Sequence, residues 1–267
     1  MPEHTYFKYY QNVTEESRNT VKTTVQNFKG KIKNNKNFLR GYTFHTVTSY
    51  KDLEPESELT KYVKENSDDF FATGGMTTSV LSNKGKKEII INVNNYGITS
   101  IWSDNKSSSD ISQAILHEIG HQFDDWFGQC DNDLSEKVKQ LPICTSTEED
   151  DKVMEEYLMT KDLSDTADFK KAWKKDAENL SKDMSLLGRL FNKIPFEYTP
   201  YDIDITDGVT DKEVELSNNS RSEIFAQLFS YALGEDDGKK DVITEKYKNS
   251  YNVVKAYIKT YLGIDCN

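Results

Sequence analysis

Two histidines four residues apart, with a glutamate beside the first, fall at His117, Glu118 and His121. Around them Ile111, Ile115, Ile119, Phe123 and Phe127 recur at helical spacing. That periodicity predicts an amphipathic helix over 110–127 with a buried apolar stripe. Asp110 and Gln113 have capping-box spacing and are expected to open it. The two imidazoles then stack one turn apart, on a face distinct from the main apolar stripe. So placed, they can bind one cation through ring nitrogens, at Zn–N distances of about 2.0–2.1 Å. Glu118, next to the first ligand, is set to reach a zinc-bound water rather than the metal.

A chance origin is the competing explanation. At ordinary His and Glu frequencies of roughly 2% and 6%, such a motif arises by accident in on the order of one chain in a hundred of this length. Context lowers that further. The chain has only 4 His, two of them here. The motif also follows a β-branched strand and a polar loop.

The 267 residues carry a formal net charge of -11. A nucleic-acid binder would normally show a basic face, so that class is set aside. No apolar run exceeds Ile89-Ile90-Ile91, far short of the roughly 20 residues needed for a membrane span. No apolar signal-peptide core is visible in Met1 to Tyr10. The three cysteines, Cys130, Cys144 and Cys266, lack the spacing of a structural zinc site, and a Cys130–Cys144 disulfide stays open.

The organisation expected is α+β, strands early and helices late, in a single catalytic domain over 1–267. Its strand-rich part covers about 36–104 and its helical part about 108–263, with the histidine-bearing helix at the centre. Thr14 is expected to cap a helix running to about Lys29, with Val21, Val25 and Phe28 on one face and Gly30 as its stop. Leu39 to Tyr50, Phe70 to Leu81 (bent at Gly74-Gly75), Lys87 to Val93 and Ile98 to Trp102 read as extended. Glu56 to Glu65 reads as a short helix. Further helices are expected at 132–141, 147–160, 166–182, 222–234 and 241–262, with 195–220 irregular. His45 is expected to be structural, and the Tyr247, Tyr251, Val254, Ile258 and Tyr261 stripe a packing face.

A catalytic zinc site needs a third protein ligand and an open position. A metzincin continuation would require glycine at 124 and histidine or aspartate at 127, where Asp124 and Phe127 stand. No Asn-Glu context follows soon after His121 either. The candidate is Glu223, in Ser220-Arg221-Ser222-Glu223-Ile224-Phe225-Ala226-Gln227, on a helix that buries Ile224, Phe225, Leu228, Phe229 and Ala232 and leaves Glu223, Gln227 and Ser230 as its polar stripe. Ser220 and Glu223 also have capping-box spacing, so Glu223 as a mere helix cap is the rival reading. Asp124 and Asp125 are candidates for supporting a ligand histidine.

His117-Glu118-Ile119-Gly120-His121-Gln122-Phe123-Asp124-Asp125, with Glu223-Ile224-Phe225-Ala226 downstream, resembles the catalytic domain of anthrax lethal factor and its relatives, which include the secreted Pro-Pro endopeptidases. The likeness covers about 110–128 and 222–234. It implies a zincin-like fold, one catalytic Zn2+ held by His117, His121 and Glu223, and Glu118 as general base. It further implies a zinc metalloendopeptidase of the secreted toxin or virulence type, acting as a monomer on an extended peptide or protein. The strand Ile89 to Val93 is expected to offer that peptide an edge. Two departures stand out. The interval from His121 to Glu223 is longer than in those relatives, implying an insertion at about 130–215. The family's carbonyl-polarising tyrosine, seven residues before the glutamate ligand, is Leu216 here; Tyr201 or Tyr198 is the candidate replacement. A non-catalytic toxin or binding module, and a hydrolase acting on a modified cell-wall peptide, remain as alternatives.

Overall fold

The computed structural model describes residues 4–48, 52–54, 57, 59–61, 75–78, 87–95, 104–105, 107–130, 162–183, 211–236, 238 and 240–266. The chain is mixed α+β and mostly helical. It divides into two compact units: Met1–Ile119 with Leu233–Gly238 and Ile258–Asn267, and Gly120–Ala232 with Lys239–Tyr257.

The first unit holds a four-stranded sheet in the order β1-β2-β4-β3. β1 (Tyr6–Tyr9), β2 (Tyr42–Val47) and β4 (Lys87–Asn92) run parallel, and β3 (Gly75–Thr78) closes one edge antiparallel to β4. Tyr42, Phe44 and Thr46 of β2 are wholly buried, but His45 and Val47 on the other face are buried as well, so the expected alternation gives way to a strand covered on both sides. Ile89, Ile90 and Ile91 are also fully buried, so β4 is buried on both faces, the usual condition of a parallel strand. β4 lies between β2 and β3, so it offers no edge to a peptide; that expectation is corrected by the topology. β1 lies outside the expected strand region. Its four residues are too short a run to show a period, and they are extended because β2 supplies their hydrogen-bond partners. A short pairing of β5 (Asn94–Asn95) with β6 (Asp104–Asn105) follows β4.

Helix α1 (Glu15–Lys31) starts where the Thr14 hydroxyl accepts the Ser17 N–H at 3.1 Å, and it buries Val21, Val25 and Phe28. Gly30 does not stop it. Its φ is not positive, and the helix ends when Lys33 and Asn34 donate their N–H groups to the Leu262 carbonyl instead, at 2.8 and 3.0 Å. Residues 59–61 are helical and Ser57 forms a bend before them; the rest of the expected 56–65 helix, the 98–102 strand and the helices over 132–141 and 147–160 lie outside the described residues.

Helix α2 (Ser108–Cys130) is unbroken and carries the histidine pair. Ile111, Ile115, Ile119, Phe123 and Phe127 are all buried, as their spacing requires. The capping box sits three residues earlier than expected. The Ser107 Oγ accepts the Asp110 N–H at 3.2 Å while Asp110 accepts the Ser107 N–H at 3.3 Å.

The second unit holds the later helices: α3 (Ala167–Asp183), α4 (Asp211–Ala232), α5 (Lys240–Lys246) and α6 (Lys248–Tyr257). α4 begins at 211, within the stretch expected to be irregular. The expected 241–262 helix is broken at Tyr247 and finishes in a wide π turn, Ile258–Leu262. Asp176 of α3 accepts the N–H groups of Asn249 and Ser250 at 3.2 and 2.7 Å, satisfying donors at the start of α6 that have no partner within the helix. Tyr247, Val254 and Ile258 are buried, so the expected stripe is a packing face.

Candidate metal centre

The site begins with a glycine. A Cβ built on Gly120 would stand 2.8 Å from the Cα and 3.0 Å from the carbonyl oxygen of Ala226. Only hydrogen fits there, so α2 and α4 meet backbone to backbone at Gly120 and Ala226. That contact places the next residue of α2, His121, beside Glu223, one turn before Ala226 on α4. Aromatic rings hold the crossing from below. Phe123 lies 4.9 Å from Phe229, 5.0 Å from Phe127 and 6.2 Å from Phe225, ring centre to ring centre, and Phe169 of α3 meets Phe225 edge-on at 5.1 Å. Each such pair contributes about 0.5–1.5 kcal/mol beyond the area it buries.

His117, His121 and Glu223 each bring one donor atom into a group whose members lie within 4.8 Å of one another. His121 Nε2 and Glu223 Oε1 are 3.4 Å apart. Two donors of a tetrahedral zinc ion, each about 2.0–2.1 Å from it, stand about 3.3–3.4 Å apart, so this spacing fits the ion. His117 is set one turn from His121 by α2 itself. All three residues are half-buried, and three protein donors with access from solvent suit a catalytic site better than a closed four-ligand structural one. Among the described residues this is the group able to hold a metal ion.

The rival reading of Glu223 as a helix cap falls away. Ser220 and Glu223 lie well inside α4, which starts at Asp211, so neither is at a helix terminus. The polar stripe expected on that helix is different as well. Gln227 and Ser230 are buried, leaving Glu223 as its half-exposed member.

The candidate ligands are supported by Asp124, named from the sequence for that role, and by Ser222, which the sequence did not single out. Ser222 Oγ lies 3.1 Å from His121 Nδ1 and 3.4 Å from Asp124 Oδ2. Asp124, fully buried, accepts the Ser164 N–H at 2.6 Å through its other oxygen. Burial pushes the Asp124 carboxyl well above the usual carboxylate range, and the charge of Asp162 pushes the same way. Arg221, beside Ser222, donates to Asp165 at 2.7 Å and lies over the Trp173 ring. Burial raises the Asp165 carboxyl, but Lys170 and Arg221 together bring it below its ordinary value. Asp162 is pushed up to about 6, first by burial and then by the charges of Asp125 and Asp165, with His121 acting in the opposite sense. The presence of a serine before Glu223 was visible in the chain. Its bridging role was not, because Asp124 and Ser222 are 98 positions apart.

Glu118 is buried on α2 between the two histidines in sequence. Tyr198, Tyr201 and Cys144 lie outside the described residues, and position 216 is within α4. His45 is held in the sheet by Glu88 at 2.5 Å and Tyr10 at 3.0 Å, as a structural histidine would be. No helix among the described residues is long and apolar enough to cross a membrane. Comparison of the chain with family models, curated proteins and solved structures finds no match.

Proposed function

We propose that this chain is a zinc-dependent endopeptidase of the lethal factor-like kind that its two motifs resemble. The observation that carries the reading is the meeting of His117, His121 and Glu223 at ligand spacing, beside the glutamate of the same motif. In this proposal these three residues hold the metal. Zinc, when bound, supplies Lewis acidity that polarises a peptide carbonyl and makes water acidic enough to deprotonate near neutral pH. Glu118 takes the proton from the attacking water and passes it to the leaving amine. The substrate peptide is extended. Among the described strands β3 forms one edge of the sheet and β1 the other, and strand addition would use such an edge.

The test is cleavage of a peptide library by the zinc-loaded protein, with and without chelator, for the wild type and Glu118→Gln. The variant is expected to keep zinc and lose at least about a hundredfold in rate, the usual contribution of a general base. Full activity in Glu118→Gln with zinc bound would refute the base assignment. Leu216, at the position where the resembling family has tyrosine, favours a second reading, a non-catalytic module that keeps the fold. A zinc-loaded wild type that is inert across the library would support it.

A further inference from the structure

The hydrogen bonds around His121 have a direction that follows from counting protons. The Ser164 backbone N–H can only donate, so Asp124 Oδ1 accepts from it at 2.6 Å. The Ser222 hydroxyl donates to the other carboxyl oxygen, Oδ2, at 3.4 Å. Ser222 then has no hydrogen left for the ring, and its oxygen must accept from His121 Nδ1, 3.1 Å away. The ring proton is thereby placed on Nδ1. The lone pair is left on Nε2, the nitrogen that stands 3.4 Å from Glu223 Oε1.

We propose that Ser222 is a positioning residue, relaying the Asp124 carboxylate to His121 so that the ring is held as the tautomer whose Nε2 can bind the metal. The inference rests on the reading of His121 as a metal ligand. A direct histidine–carboxylate contact is the common arrangement at zinc sites. Here the carboxylate lies on the same helix as the ring, three residues on, and its oxygens are taken up by Ser164 and Ser222. A serine on the neighbouring helix therefore makes the link. The relay also ties the geometry of α4 to the ring on α2, because Ser222 precedes Glu223: one helical segment supplies both a ligand and the group that orients another ligand.

The test compares wild type with Ser222→Ala, Ser222→Thr and His121→Ala. Zinc affinity is measured by competition with a chelating dye. The imidazole protons are followed by proton–nitrogen NMR of the zinc-loaded protein. Alanine favours helix, so Ser222→Ala is expected to fold. It should bind zinc about 10–100-fold more weakly, the usual effect of removing a residue that orients a ligand. It should also lose the slowly exchanging, downfield His121 Nδ1–H that wild type shows. Ser222→Thr, which keeps the hydroxyl, should restore both. Wild-type affinity together with an unchanged protected Nδ1–H in Ser222→Ala would overturn the relay while leaving the metal site intact. A wild type that binds no zinc, or a His121→Ala protein that binds it equally well, would overturn the ligand reading and the relay with it.

Discussion

Gly120 of α2 and Ala226 of α4 approach so closely that a methyl group on the glycine would lie 2.8 Å from the alanine Cα. The atoms met are backbone, so the neighbour cannot swing aside. Gly120→Ala is expected to force the helices apart, costing about 1–3 kcal/mol as overpacked sites do. Because Glu223 and His121 flank the contact, zinc affinity should fall as well. Ala226→Gly should not rescue either property, since it removes only the more distant Cβ, at 3.2 Å. Thermal unfolding and dye competition on the single and double variants check this.

Metal removal gives a second expectation. On the proposed reading, zinc held by His117, His121 and Glu223 would stabilise only the folded state, by about 2.7 kcal/mol at a free concentration of 100 times Kd. For a chain of this size that raises Tm by about 5–10 °C. Chelator should abolish the increment in wild type. Glu223→Gln should show little or no increment, because a neutral amide replaces the one anionic ligand of the group. Paired thermal scans with zinc and with chelator measure the difference.

The acidic group near His121 predicts a pH dependence. The folded pKa of Asp162, about 6, lies above the unfolded value near 3.8. The folded state therefore holds the proton more tightly, and this group's contribution falls as pH rises from about 4 to about 6. Above that window its buried charge is a standing cost. Asp162→Asn in metal-free protein should thus be stabilising at pH 8, by on the order of 2 kcal/mol after allowance for its partial exposure, and close to neutral at pH 4. Urea titrations at the two pH values decide it; an equal effect at both would show that the aspartate is not protonated in the fold.

Much of the local structure was legible in the chain. Five apolar residues at helical spacing dictate a buried stripe on α2, and all five are buried. The β-branched run at Ile89 to Ile91 makes a strand whichever partner it meets. Thr14 caps α1 because a hydroxyl there can reach the Ser17 N–H. These are short-range effects, carried by residues a few positions apart. The misreadings are of another kind. Gly30 has the composition of a helix stop, yet α1 continues past it because the alternative partners for the chain, the Leu262 carbonyl, come later at Lys33 and Asn34. β1 is extended through its pairing with β2.

The same division runs through the site. The order His117-Glu118-x-x-His121 on a helix determined, without any fold, that two imidazoles share one face with a glutamate beside them. The distant carboxylate, Glu223, could be nominated from its helix pattern and the likeness of its motif, but one dimension could not bring it to the histidines. Tertiary structure decided that, by bringing Gly120 against Ala226 and so Glu223 to 3.4 Å from His121, across 102 positions of chain. The physical reason is range. Helical periodicity is enforced by neighbours within one or two turns, whereas a ligand set depends on where two backbones can touch, and that is settled by packing.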